Sequence, residues 1–253
     1  MLPDYTRPPF ELAPGSRDRM RKRLAFLYGR RKAGRYIQEL ERIMKVHHAH
    51  KPPEMLEKEK RYDANERFTE QDMILITYGD IIQGRGETPL SILYNFVNTY
   101  IRGAFNTIHL LPFFPYTSDR GFAVVDFRQV DPKLGSWADI HEKKKTYDLM
   151  FDAVLNHVSS MSEMFLEFRN GNPRHLEYFI SYDSPDDLTG EQRKKLFRPR
   201  TSDILTRFET INGPKWLWTT FSEDQVDLNF KNPDLLMQVI DSLLFYIRHG
   251  ADL

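Results

Sequence analysis

The sequence predicts an α/β protein assembled from strand–helix units, and three observations predict it. Short apolar runs rich in β-branched residues alternate with stretches whose apolar residues recur at helical spacing. Each unit takes roughly thirty residues, which suits a parallel sheet with right-handed crossovers. The run Phe151-Asp152-Ala153-Val154-Leu155-Asn156-His157 reads as a buried strand that ends on two polar side chains. Packing gives no reason for that ending, since burying polar groups unpaired costs about 1–3 kcal/mol each.

The elements follow in order. Met1–Gly15 is proline-rich. Ser16 is placed to cap a helix over Arg17–Tyr28, and Ala33–Val46 sets Ile37, Leu40, Ile43 and Met44 on one face of a second. Lys51–Arg67 reads as a charged linker. Met73–Tyr78 is the first strand; Thr88-Pro89 supplies a cap and an N1 proline for a helix through Tyr100. Thr107–Leu111 is the second strand, Ser136–Lys145 the next helix, and Asp148–His157 the third strand. Val158–Lys231 is long, aromatic and without a sustained period, which reads as an inserted subdomain. Asn232-Pro233 opens a helix with Leu235, Leu236, Val239, Ile240, Leu243, Leu244 and Ile247 on its apolar face, and Gly250 closes it. Ala251-Asp252-Leu253 reads as the opening of a fourth strand. The expected domains are a helical extension and linker (1–67), three strands with their helices (68–157), the insertion (158–231), and a third helix with a strand start (232–253). Strand–helix units of this size point to the incomplete N-terminal half of a (β/α)8 TIM barrel.

Composition narrows the function classes. Lys plus Arg equals Asp plus Glu at 36 each, so no global field favours nucleic acid or an anionic membrane. The basic residues of 17–35 lack a recognised nucleic-acid motif and read as a solvated helix face. Zero cysteine excludes disulfides, thiolate metal sites and a cysteine nucleophile. Met1–Tyr5 opens no signal-peptide pattern, so a cytoplasmic location is expected, with neither membrane nor nucleic acid as partner.

Asp152, Asn156 and His157, an insertion, and then Gln225-Val226-Asp227-Leu228-Asn229 before a helix resemble the alpha-amylase superfamily. Leu75–Tyr78, His109–Phe113, Ser118-Asp119-Arg120-Gly121-Phe122 and Arg198-Pro199-Arg200 resemble its sucrose phosphorylase branch. The Ser-Asp-x-Gly-Phe run, Trp216–Ser222 and the N-terminal extension are similar to its glucosylglycerate phosphorylase members. The resemblance implies a retaining double displacement. A carboxylate attacks the anomeric carbon, a glutamic acid protonates the leaving oxygen, and inorganic phosphate, the co-substrate, releases α-glucose 1-phosphate.

Carried onto this sequence, the resemblance makes His157 a ligand of a glucose hydroxyl, against the plain alternative of a satisfied core histidine. Asp119 would bind glucose hydroxyls, though an Asx turn beside Gly121 explains it as well. Phe122 would floor the sugar ring or simply pack, and Phe221 and Gln225 would line the acceptor mouth. Arg200 would meet phosphate or an acceptor carboxylate, its fork matching both, against a solvated loop arginine. Asp152, a buried carboxylate, Asn156 and Asp227 are assigned to structure. No metal or other cofactor is expected.

The nucleophilic Asp and the acid/base Glu implied by the family have no counterpart here, so the chain alone is expected to be an inactive fragment whose open edges self-associate. Asp227 and Asp252 are not promoted in their place. His47-His48-Ala49-His50 reads as part of a flexible charged linker, and Gly84-Arg85-Gly86 is no phosphate loop. An amylase-type hydrolase or transglucosidase is the alternative within the family, and a non-catalytic remnant the alternative outside it.

Overall fold

The computed structural model describes residues 2–63, 68–196 and 200–253. Arg198 and Pro199 of the arginine-proline motif lie outside the described residues. The chain divides into two compact units. One holds residues up to Leu111 with Lys133–Phe151 and Leu236–Leu253; the other holds Pro112–Pro132 with Asp152–Leu235.

The first unit opens with α1 (Pro14–Tyr28) and α2 (Arg30–Ala49), separated at Gly29, whose φ of 83° suits glycine alone. Ser16 is not the cap of α1: the helix starts on Pro14, where the fixed φ of proline is already helical, with Ala13 before it. The histidine run is no linker either. His47 and His48 lie in the last turn of α2, and buried His47 bonds Asp241 through Nε2 at 2.7 Å. The charged stretch after it carries a helix, α3 (Pro53–Lys60).

Strands β1 (Ile74–Thr77), β2 (Thr107–Leu110) and β3 (Asp148–Phe151) form a parallel sheet in the order β1-β2-β3. Helix α4 (Pro89–Tyr100) links β1 to β2, and α5 (Trp137–Lys144) precedes β3. Thr88 caps α4, its hydroxyl accepting from the Ser91 amide at 3.2 Å. Ser136 and Asp139 form the reciprocal capping box of α5. Asp139 also accepts from the Ser91 hydroxyl at 2.7 Å, tying the starts of both helices together.

The third strand departs from expectation. β3 stops at Phe151, and Asp152–Leu155 belong to no strand. Asp152 is half-buried rather than buried. His157 begins a separate strand, β4 (His157–Ser159), because its backbone pairs antiparallel with a segment about seventy residues on.

In the second unit β4 is followed by α6 (Glu163–Arg169), β5 (Ser181–Tyr182), α7 (Gly190–Lys194), β6 (Leu205–Thr210), β7 (Gly213–Trp218) and β8 (Gln225–Asp227). Strands β5, β7 and β6 make an antiparallel sheet in that order, and β4 pairs with β8. Phe165, Phe168 and Phe179 pack ring against ring in one core. Leu188, Ile204 and Leu205 form another with Trp216 and Trp218. These strands are short, which is why the sequence carries no sustained period there.

Helix α8 (Pro233–Arg248) returns the chain to the first unit, opening where the Asn232 side chain accepts from the Asp234 amide at 2.8 Å. Met237, Leu236, Ile240 and Leu244 pack with Leu24, Tyr36 and Ile37 of the first two helices. Ile247, expected on the apolar face, is exposed. Beyond Gly250 the backbone enters beside β3: Ala251 bridges Leu149 in parallel, and the Phe151 amide donates to the Leu253 carbonyl at 3.2 Å. Of the fourth strand expected to open here, the described residues show one isolated parallel bridge. No helix among the described residues is long and apolar enough to cross a membrane.

Candidate active site

His157, Gln225 and Asp227, three of the polar residues singled out from the sequence, meet in the second unit on one ribbon. His157, Val158 and Ser159 pair in register with Asp227, Val226 and Gln225. Side chains alternate along a strand. His157, Ser159, Gln225 and Asp227 therefore share one face, while Val158 and Val226 fill the other and are fully buried. A polar-apolar-polar triplet in each strand is what builds this two-sided ribbon.

The loop leaving β2 reaches the ribbon as a tight hairpin. Tyr116 bridges Val124, the Thr117 amide donates to the Ala123 carbonyl at 3.1 Å, and the Ser159 amide of β4 donates to the Val124 carbonyl at 2.8 Å. At its tip Asp119 and Arg120 take left-handed φ values of 56° and 49°. Aspartate tolerates that region better than most residues. Gly121 has no such latitude: a Cβ there would stand 2.6 Å from the Pro112 carbonyl oxygen.

Each expected residue can now be placed. His157 is 5% exposed, and its Nε2 lies 3.0 Å from the Phe122 carbonyl. A carbonyl only accepts, so Nε2 carries the proton and Nδ1 is an acceptor; that Nδ1 is buried and has no hydrogen-bond partner among the described residues. Burial pushes the imidazole below its ordinary range, against the Phe122 bond and the carboxylates of Asp227, Asp119 and Asp224, so His157 is neutral at pH 7. The Phe221 ring lies 5.1 Å from it, tilted. Asp119 is exposed and accepts from the Gln225 amide at 3.2 Å. Gln225 is 1% exposed and spent on that bond, so it lines no open mouth. Phe122 is half-buried. Asp227 is buried and accepts from the Thr220 amide at 2.9 Å, the Thr220 hydroxyl at 2.5 Å and the Asn156 amide at 3.2 Å. Arg200 is exposed and takes no part in these bonds.

Sequence reading missed the residue that gathers the site. Asp224 accepts from the hydroxyls of Thr117 at 2.6 Å, Ser118 at 2.8 Å and Ser222 at 2.8 Å. Its burial raises the carboxyl pKa, but those three bonds outweigh that and hold it below its usual range. The signal was present as two hydroxyl residues before Asp119 and a Ser-x-Asp before the β8 triplet, yet each reads alone as turn chemistry.

The site holds an exposed carboxylate, a nearby aromatic ring and, buried beneath them, a neutral imidazole nitrogen. It suits a neutral ligand with several hydroxyls better than an anion.

The sequence matches the alpha-amylase catalytic domain over residues 99–252. It is 44% identical to the glucosylglycerate phosphorylase of Allomeiothermus silvanus over 96% of this chain and 40% of that one. A second glucosylglycerate phosphorylase, from Spirochaeta thermophila, is 40% identical over 93% of this chain and 39% of its own. The crystal structure of sucrose 6F-phosphate phosphorylase from Thermoanaerobacter thermosaccharolyticum superposes with a TM-score of 0.65, at 25% identity over 75% of this chain and 40% of that one. The chain thus spans about 40% of the length of these relatives. Its parallel strands are part of a (β/α)8 barrel that is incomplete within these residues. The chain belongs to the alpha-amylase family, and its relatives there include glucosylglycerate and sucrose 6F-phosphate phosphorylases.

Proposed function

We propose that this chain is the glucose-cradling part of a retaining α-glucoside phosphorylase, one that transfers glucosyl from glucosylglycerate or sucrose to inorganic phosphate. The observation that carries the reading is 44% identity to a glucosylglycerate phosphorylase sustained over 96% of the chain. The site supports it. His157 bonds a glucose hydroxyl, Asp119 accepts others, and Phe122 floors the ring. Phe221 borders the acceptor side, and Arg200 answers phosphate or the acceptor carboxylate. Asp152, Asn156 and Asp227 hold the backbone. The protein works in the cytoplasm, without a metal.

The bond-breaking step needs two carboxyl groups about 5–5.5 Å apart, one attacking the anomeric carbon and one protonating the leaving oxygen. Asp224 and Asp227 are spent on hydroxyl and amide donors, so neither is free for that work. The 253-residue chain alone is therefore expected to be inactive. Fused to the part of the Allomeiothermus silvanus relative that the match leaves uncovered, it should release glucose 1-phosphate from glucosylglycerate in proportion to phosphate. Turnover indifferent to phosphate would make the enzyme a hydrolase or transglucosidase. Turnover by the 253 residues alone would remove the division of labour.

A further inference from the structure

We propose that Asp224 is a positioning residue for sugar recognition: it clamps the Thr117–Phe122 hairpin onto the β4–β8 ribbon and so sets Asp119 and the His157 ring. The inference rests on the glucoside reading above and adds to it a residue that touches no substrate.

Three observations carry it. The Asp224 carboxylate accepts one hydroxyl from each of Thr117, Ser118 and Ser222, joining the hairpin to the segment that enters β8. Its own carbonyl accepts from the Ser160 amide at 2.8 Å, and Thr117 also meets the Ser159 hydroxyl at 2.8 Å, so β4 is tied in as well. Proton counting is consistent here. The Asp224 carboxylate only accepts, so Thr117 donates to it and accepts from Ser159, whose oxygen in turn accepts from the Met161 amide at 3.0 Å.

The third observation is a shared proton. The Ser222 hydroxyl stands 2.8 Å from Asp224 Oδ1 and 2.6 Å from Gln225 Oε1. A hydroxyl has one proton, so Asp224 and Gln225 compete for it. Gln225 in turn holds Asp119 through its amide nitrogen. Asp224 thus reaches Asp119 through the backbone of Ser118, while Ser222 serves Asp224 and Gln225 only one at a time.

The clamp has something to hold. Two successive non-glycine residues in the left-handed region are costly, and such a conformation persists only where its surroundings over-determine it. The Phe122 carbonyl, which sets the His157 tautomer, lies directly beyond that turn. Without the clamp, both sugar-reading groups would lose their orientation together.

The test pairs hydrogen exchange with kinetics, using Asp224→Asn and, as an independent variant on the hairpin side, Thr117→Val. In the 253-residue chain, Asp224→Asn should speed amide exchange across Thr117–Ala123 by about tenfold while Val158 and Val226 stay protected. In the fused enzyme it should raise KM for the glucosyl donor about tenfold and leave KM for phosphate unchanged. Thr117→Val should do the same to a smaller degree. Hairpin exchange and donor KM both unmoved in either folded variant overturn the proposal. An unaltered fusion without phosphate-dependent turnover overturns instead the glucoside reading, and with it the sugar role, whatever the exchange shows.

Discussion

Two pairs of carboxylates, Asp148 with Asp252 in the first unit and Asp224 with Asp227 in the second, are satisfied in opposite ways. In the first, Asp252 accepts from Lys144 and from Lys58, the latter at 2.8 Å, and Lys58 also reaches Asp148 at 2.6 Å. In the second, Asp224 and Asp227 are held by hydroxyls and amides, with no lysine or arginine among their hydrogen-bond partners in the described residues. Ammonium partners neutralise a charge and tie elements together. Neutral donors fix a carboxylate in place but leave its charge standing. The first arrangement suits a scaffold; the second suits a surface that must read hydroxyls by accepting from them.

Three substitutions test that contrast. The largest effect belongs to Asp227→Ala. Its removal leaves the half-buried Thr220 amide and hydroxyl without their acceptor, frees the exposed Asn156 amide, and empties a buried position. A loss of about 3 kcal/mol is expected, read from urea unfolding. A loss below about 1 kcal/mol would mean that the neutral donors find other partners and that the contrast is overdrawn.

Acid should trouble the first unit through a different group. His249 stacks on His141, their ring nitrogens 3.3 Å apart, and packs tilted against Trp137 and Phe245. Burial, with the neighbouring His141 and Arg248 charges, holds its pKa at about 3. Unfolded, the imidazole titrates near 6.5, so below that pH protons favour the unfolded chain. Stability is whole above about 6.5 and is lost as pH falls toward 3. His249→Phe should flatten the urea midpoint between pH 6.5 and 4; an unchanged slope would sink this assignment.

Smallest is Lys58→Met. Both its ion pairs are well exposed on the lysine side, so about 0.5 kcal/mol or less is expected. Even that difference should fade in high salt, whereas the cost of Asp227→Ala should not. Equal salt dependence for the two would erase the distinction between these two pairs of carboxylates.

Much of the first unit was legible because its signals are local. Thr88-Pro89, Ser136 with Asp139, and Asn232-Pro233 mark helix starts by chemistry that acts within a few residues. The parallel strands announce themselves as apolar runs. Less legible was α3, since charge along a short helix looks the same as charge along a linker.

By itself the sequence determined the α/β class, the order of the first strands and helices, and the polar residues worth watching: Asp119, His157, Gln225 and Asp227. Only the tertiary structure decided that the third strand breaks at Phe151, that His157 pairs with β8, and that Asp224 is the meeting point of three hydroxyls. The physical reason is distance along the chain. Capping and periodicity are written within a turn or two, but the partners of Asp224 on the hairpin lie 106 and 107 residues away, and only folding brings them within reach of its carboxylate.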